Sequence, residues 1–238
     1  TIKMDLFLTP DASPAYTFLK DMAEVLKEPN SKFELVPYYR VFRNGEAYSD
    51  PNDCIGNKKY CFSSPYKEIQ GKYVLIETLH QKCIYKIYGN KKSAKYDLNA
   101  YFGYLTYFAS KCTDRRSEKA FTEKCRVEAA TENKIDMDEV EDCIAKSYDR
   151  DVYSDNIYDL QINSLFDEDF SKVEAYTVSQ IPSLYLNKMF FDETLSVENV
   201  VNKACLMLSK KDQFCQTYLE AKKEESTDSP RKKSRAFI

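Results

Sequence analysis

The 238-residue chain has no tryptophan, one histidine (His80) and five glycines, and no two cysteines stand in a C-x-x-C motif. A metal site or a catalytic triad built on this histidine would need other partners in a matching geometry, and none is apparent. No glycine-rich phosphate loop occurs. No apolar run approaches the ~20 residues of a membrane span. Lysine and arginine (35) nearly balance aspartate and glutamate (38). We therefore expect no metal, no cofactor and no nucleic-acid partner.

What the chain does contain is eight cysteines, at positions 54, 61, 83, 112, 125, 143, 205 and 215. An even number without a C-x-x-C motif is typical of a disulfide framework in an oxidising compartment. Cys54–Cys61 can close a short hairpin, and Cys205–Cys215 can pin the end of a predicted helix. For the inner four, an antiparallel helical hairpin favours Cys125–Cys143 and leaves Cys83–Cys112. A Cys112–Cys125 bridge stays open as the alternative.

Hydrophobic periodicity and turn residues predict the order β-α-β, a block of helices, then β-β-α. The first unit has a strand over 3–8, a helix from Ser13 to about Lys27 and a strand over 33–42. Ser13 is the predicted N-cap, Pro14 the first helical residue, and Pro37 indicates an edge strand or a bulge. A polar loop is expected over 43–71. The remaining predicted helices cover 72–88, 98–111, 117–131, 136–147 and part of 155–175, followed by strands at 181–186 and 189–191 and a helix at 196–208.

This order is that of an α/β thioredoxin-like fold with a helical insertion between its halves, stapled by disulfides. We expect one domain over residues 1–219, with the insertion at about 72–175. A charged tail or linker is expected at 220–238, with a basic cluster at 231–235. Pro182 occupies the place of the proline that is cis in this fold, and it is predicted to face the start of the first helix near Ala12.

The segments 53–61 (DCIGNKKYC), 81–87 (QKCIYKI) and 181–184 (IPSL), together with Cys112, Cys125 and Cys143, resemble the luminal thioredoxin-like domain of plant-type vacuolar sorting receptors. The inner six cysteines are also similar to those of gamma-interferon-inducible lysosomal thiol reductases. The resemblance covers about residues 1–215. It implies a receptor with a protease-associated domain, this domain, epidermal-growth-factor-like repeats and one membrane span. Only one such module is expected here, so a membrane tether would belong to another part of the parent chain.

The chain departs from the family at the start of the first helix, where Ala12 and Tyr16 stand in place of a spaced cysteine pair. Disulfide exchange needs a thiolate, so we expect no reductase turnover and no enzyme. The predicted binding residues line the same place, where the fold leaves backbone groups open to an extended peptide; they are Asp11, Ala12, Tyr16, Ile181 and Pro182.

The sequence thus predicts a redox-inactive, thioredoxin-like protein-binding module related to vacuolar sorting receptors. Its expected location is the secretory pathway lumen or the extracellular space, and its expected partner is a protein, either a cargo or an assembly partner. One alternative is a structural subunit of a larger extracellular or organelle-surface assembly. Another is a thiol reductase or chaperone of the secretory pathway that uses a cysteine assigned here to a bridge.

Overall fold

The computed structural model describes residues 1–43, 50–65, 68–114, 116–149, 156–208 and 212–227, the last seven of them for the backbone alone. Within these residues the strands and α-helices run, in chain order, β1 (Ile2–Leu8), α1 (Ser13–Lys27), β2 (Phe33–Tyr39), β3 (Phe42–Arg43), β4 (Cys54–Ile55), β5 (Tyr60–Cys61), α2 (Gly71–Ile84), α3 (Leu98–Lys111), α4 (Glu123–Glu132), α5 (Met137–Ser147), α6 (Ser164–Ala175), β6 (Ser183–Leu186), β7 (Met189–Phe190), α7 (Val197–Met207) and α8 (Gln213–Thr227). A π-helical turn, Tyr85–Gly89, prolongs α2.

The βαβ and ββα units share one four-stranded sheet in the order β2-β1-β6-β7. β1 is parallel to β2 and antiparallel to β6, and β6 turns back into β7. The prediction that Pro37 marks an edge strand is confirmed, because β2 forms one edge of the sheet. A smaller sheet, β3-β5-β4, lies in the segment predicted as a polar loop.

Alternation along the strands separates two faces of the main sheet. One face contributes Ile2, Met4, Leu6 and Leu8 of β1 to the large core. The other face carries aromatic residues against the C-terminal part of α6; this second cluster contains Phe7, Tyr38, Val178 and Tyr185, with Val36, Val173 and Tyr176 at its margin.

Helix α2 is buried along most of its length. The buried residues include polar side chains of types that usually lie on the exposed face of a helix. The two ring nitrogens of His80 lie within hydrogen-bond distance, 2.8 Å each, of Glu141 on α5 and of the carbonyl of Ile76. Lys82 forms an ion pair with Asp169 on α6. Buried polar groups need such partners to avoid a desolvation penalty. Helices α5 and α6 are therefore held against α2 by polar contacts as well as by apolar packing.

All eight cysteines are paired, and two predicted bridges are confirmed: Cys54–Cys61 and Cys205–Cys215. The other two predicted pairs are wrong, because the bridges are Cys83–Cys143 and Cys112–Cys125, the second of which the sequence had left as the alternative. The reason is helix packing: α4 packs on α3, and α5 packs on α2, so α4 and α5 do not form the pair that the prediction assumed.

Three predictions about the ends of elements also change. Helix α1 covers the predicted residues, but its N-cap is Ala12, so Ser13 is the first helical residue and Pro14 the second. Helix α4 begins at Glu123 rather than at 117. Helix α8 continues to Thr227, so the beginning of the predicted tail at 220–238 is helical, while the basic cluster at 231–235 lies outside the described residues.

Loop length predicts which inner bridge stabilises the fold more. Cys83–Cys143 spans 60 residues and Cys112–Cys125 spans 13. In the chain-entropy model these correspond to about 4 and about 3 kcal/mol. We expect the double variant Cys83→Ala/Cys143→Ala to lose more free energy of unfolding than Cys112→Ala/Cys125→Ala in urea titrations. The opposite order would contradict the loop-length argument, and non-reducing peptide mapping of the wild type checks the pairs themselves.

Candidate functional site at the start of helix α1

The Ile181–Pro182 peptide bond is cis, as the sequence predicted. Strand β6 begins immediately after it, and Ser183 pairs with Phe7 of β1. Continuing this antiparallel register by one residue brings Pro182 beside Leu8, the last residue of β1. The cis-proline loop therefore lies at the end of the sheet from which the chain enters α1.

The turn between β1 and α1 is held by one carboxylate. Asp11 accepts hydrogen bonds from the Thr9 hydroxyl at 2.7 Å and from the Ser64 hydroxyl at 3.2 Å. The backbone N–H of Ala12 donates to the carbonyl of Thr9 at 3.0 Å and closes the turn. Because Ser64 follows β5 by three residues, these bonds attach the small sheet to the start of α1.

The cis-proline loop is held by Arg40, the residue that follows β2. The guanidinium of Arg40 donates to the carbonyl of Ser179 at 3.4 Å, and the Arg40 backbone N–H donates to the carbonyl of Leu8 at 3.0 Å. Ser183 anchors the loop from its other end by donating its hydroxyl to the carbonyl of Gln180 at 2.6 Å. Within the part of the chain that the structure describes, the N–H and C=O of Ile181 make no hydrogen bond, and Ile181 and Pro182 are half-buried.

The first turn of α1 contains no thiol and no acidic residue, and no side chain caps it. Ala12 is half-buried, and Ser13 and Pro14 are exposed. The partial positive charge of a helix N-terminus is therefore available at this place. A thiolate is the group that thioredoxin-type chemistry needs there, and an alanine at the N-cap cannot supply it.

Tyr16, one of the predicted binding residues, is buried and lies beneath the surface. Its hydroxyl donates to Oε1 of Gln81 at 2.9 Å, and the hydroxyl of Tyr39 donates to the same oxygen at 2.9 Å. Burial raises the pKa of both tyrosines well above the ordinary value. Tyr16 therefore ties α1 to α2 and β2 as a neutral donor, and it supports the site without forming its surface.

The same network continues to a buried carboxyl. The amide of Gln81 donates to Glu77 at 2.9 Å, and the Tyr104 hydroxyl donates to Glu77 at 3.1 Å. Burial raises the pKa of Glu77, and Arg126 and His80 oppose that shift through their charges. Sequence reasoning missed Glu77, Gln81 and Tyr39, because their partners come from elements far apart in the chain.

Among the described residues, no cluster of three or more histidine, cysteine, aspartate or glutamate side chains is arranged to hold a metal ion. No helix in the described ranges combines the length and the apolar character that crossing a membrane requires. The site thus consists of a helix start, open backbone groups beside a cis proline, and a rigid polar floor. Such an arrangement can bind an extended backbone.

Sheet order, the start of α1 and the cis proline together define a thioredoxin-like protein. The thioredoxin-like domain model of vacuolar sorting receptors matches residues 10–205. The chain belongs to this family, as the resemblance of its cysteine segments indicated. No curated protein sequence matches the chain.

Solved structures with the same fold include three bacterial proteins. Reduced DsbA from Mycobacterium tuberculosis has a TM-score of 0.52 and 9% identity, over 92% of this chain and 88% of its own. Oxidised BdbD from Bacillus subtilis has a TM-score of 0.51 and 10% identity, over 85% of each chain. MdbA from Actinomyces oris, a thiol-disulfide oxidoreductase, has a TM-score of 0.50 and 11% identity, over 86% of this chain and 80% of its own. At these identities the likeness concerns the fold alone, and it confirms the predicted fold class.

The buried carboxyl predicts a pH dependence with a definite sign. A folded-state pKa raised above the unfolded value stabilises the protein below the unfolded pKa, and this stability is lost as the pH rises through the folded pKa. Glu77→Gln keeps an oxygen that can accept from Gln81 and Tyr104 and cannot ionise. As the pH rises from the ordinary glutamate pKa to neutrality, we therefore expect the free energy of unfolding, measured by urea titration, to fall less for this variant than for the wild type.

Two other described carboxyls, Asp169 and Glu141, also have shifted pKa values and contribute to the pH dependence of the free energy of unfolding. Burial raises the pKa of Asp169 to about 7, against the opposing charge of Lys82, so Asp169 contributes with the same sign as Glu77. A hydrogen bond from His80 lowers the pKa of Glu141, so its contribution is lost only as the pH falls. Both are present in wild type and variant alike. Parallel pH profiles for the two proteins would contradict a buried, titrating Glu77.

Proposed function

We propose that this chain is a redox-inactive, protein-binding module of the secretory pathway lumen or the extracellular space. Its binding surface comprises the start of α1 (Asp11, Ala12) and the cis-proline loop (Ile181, Pro182), with Tyr16 as part of the floor. The ligand is an extended segment of a partner protein, either a soluble cargo or an assembly partner. Membership of the sorting-receptor family supports a protein partner, and four disulfides support an oxidising compartment.

One observation carries the proposal. The cis proline precedes β6 at the end of β1 from which the chain enters α1, while the first turn of that helix has no cysteine and every cysteine of the chain is in a disulfide. Without a thiolate the site has no nucleophile for disulfide exchange. What the site retains is the free N–H and C=O of Ile181, and an extended peptide can pair with such groups.

The disulfide that the site's own contacts lead to, Cys54–Cys61, gives little support to the reductase alternative. Ser64 donates a hydrogen bond to Asp11 and follows Cys61 by three residues, so a short segment joins this bridge to the start of α1. Cys54 is 7% exposed and Cys61 is fully buried. A substrate thiolate must reach one of these sulfur atoms in line with the bond, and burial opposes that approach.

The redox half of the proposal predicts no catalysis. We expect the oxidised and the mildly reduced protein to give no turnover of insulin disulfides above the uncatalysed rate, because α1 presents no thiolate. A thioredoxin in the same assay serves as the positive control. Turnover that disappears after alkylation would show that one of the bridged cysteines is the nucleophile, and the redox half would then be wrong.

The binding half of the proposal predicts that point variants at the surface weaken peptide binding and leave the fold intact. Extended peptides of about 12 residues, selected from a random display library, should bind the wild type with Kd values in the micromolar range. We expect Ala12→Glu and Ile181→Glu to weaken these peptides about tenfold or more, because each adds a bulky charge at the proposed contact.

A matched control uses the same substitution on the same helix. Thr17 is exposed on α1, one turn beyond the site, and Thr17→Glu should leave the Kd unchanged. Far-ultraviolet circular dichroism and urea midpoints establish that the variants are folded. If no peptide is selected, or if the three variants bind alike, the surface is not a peptide site, and a structural-subunit role explains the fold better.

A further inference from the structure

The second face of the main sheet carries a row of aromatic rings that crosses all four strands. From one edge to the other, the centroids are 5.3 Å apart for Tyr38–Phe7, 5.6 Å for Phe7–Tyr185 and 5.3 Å for Tyr185–Phe190. The first three rings are buried, whereas Phe190 is 57% exposed. The row therefore ends on β7 at a ring that has a neighbour on one side alone among the described residues.

The β2 edge of this sheet is closed to strand addition by side chains. The carbonyl of Phe33 accepts from the Lys91 ammonium at 2.9 Å, and the carbonyl of Leu35 accepts from the Tyr85 hydroxyl at 2.8 Å. Pro37 has no N–H to offer. Capping an edge in this way prevents edge-to-edge pairing.

The β7 edge lacks this protection within the described residues. Asn187 and Lys188 form a tight turn with positive φ angles of 47° and 71°, and the N–H of Phe191 donates to Leu184 on β6. Since successive residues of a strand point their hydrogen-bonding groups to opposite sides, the N–H and C=O of Phe190 face outward. Met189 and Phe190 are both more than half exposed at this edge.

We propose that β7 is a self-association edge, on which a second copy of this chain pairs antiparallel about a two-fold axis at Phe190. In that register the two Phe190 residues exchange backbone hydrogen bonds, and their rings continue the aromatic row into the second sheet. Lys188 of each copy then lies opposite Asp192 of the other. Opposite charges at both ends make the strand complementary to itself.

The neighbouring charges are consistent with this register. Asp192 lies 3.9 Å from Lys203, whereas Glu193 holds the same ammonium at 3.3 Å. The side chain of Asp192 is 71% exposed and Lys188 is exposed, so both are accessible to a second copy. The contact is short, which predicts a weak dimer with a Kd on the order of 100 μM.

Sedimentation of the whole chain from about 10 μM to about 1 mM tests the edge. We expect reversible dimerisation that Phe190→Glu abolishes. Val127→Glu is the control, because Val127 is a 44% exposed apolar residue on α4, which packs on α3. A chain that stays monomeric throughout this range, or a dimer that Phe190→Glu leaves intact, would overturn the proposal; a strand from a different protein at this edge would give the first result.

Charge exchange tests the register itself. Lys188→Glu and Asp192→Lys each place like charges opposite one another twice, so each variant alone should dimerise about tenfold more weakly. An equimolar mixture of the two variants restores opposite charges at both ends and should recover the wild-type affinity as a heterodimer. If the mixture associates no better than either variant alone, the two copies do not meet in this register.

Discussion

The side chain of Gln81 is the point on which the arrangement of this fold depends. One oxygen of its buried amide accepts from Tyr16 on α1 and from Tyr39 on β2, and its nitrogen donates to Glu77 on the same helix. A buried polar group left without its partner costs about 1–3 kcal/mol, so α1, α2 and β2 have one low-energy arrangement relative to each other. Helix α2 repeats this device around its circumference, with Glu141 of α5 and Asp169 of α6 as further partners.

The hydrogen bonds of Gln81 and its neighbours also fix the positions of the residues at the start of α1. Tyr16 fixes the first helix from below, Asp11 fixes the preceding turn through Ser64, and Arg40 fixes the cis-proline loop through the carbonyl of Ser179. The backbone of Ile181 is therefore held by polar contacts on both sides, and such preorganisation would lower the entropic cost of the peptide binding that we propose. Bacterial proteins with solved structures share this fold, and this chain has Ala12 at the start of α1, where thiol–disulfide exchange would need a thiolate.

Local signals in the sequence were sufficient for elements with one apolar face or a clear cap. Helix α1 has its predicted bounds because Tyr16, Leu19 and Met22 recur at helical spacing. Helix α3 begins at its predicted residue, Leu98, after Asp97, whose side chain accepts from the first backbone N–H groups of the helix. The sequence could not predict that residues 77–82 of α2 are buried, because such polar residues are typical of a solvated helix face and their partners are remote in the chain. The predicted pairing of the four inner cysteines was wrong for a similar reason. Helices α4 and α5 are neighbours in sequence, but they pack on different helices. At the site, Pro182 was predictable from element order, whereas Ser64 and Arg40 carry no local signal.

Native-state hydrogen exchange tests the central role of α2 most directly. If its buried polar contacts hold the surrounding elements together, the amides of residues 77–84 exchange only through global unfolding, with the free energy and the urea dependence measured for the whole molecule. Those amides should then match the slowest amides of β1. Exchange of α2 through a smaller opening, while β1 and α1 stay protected, would contradict the account.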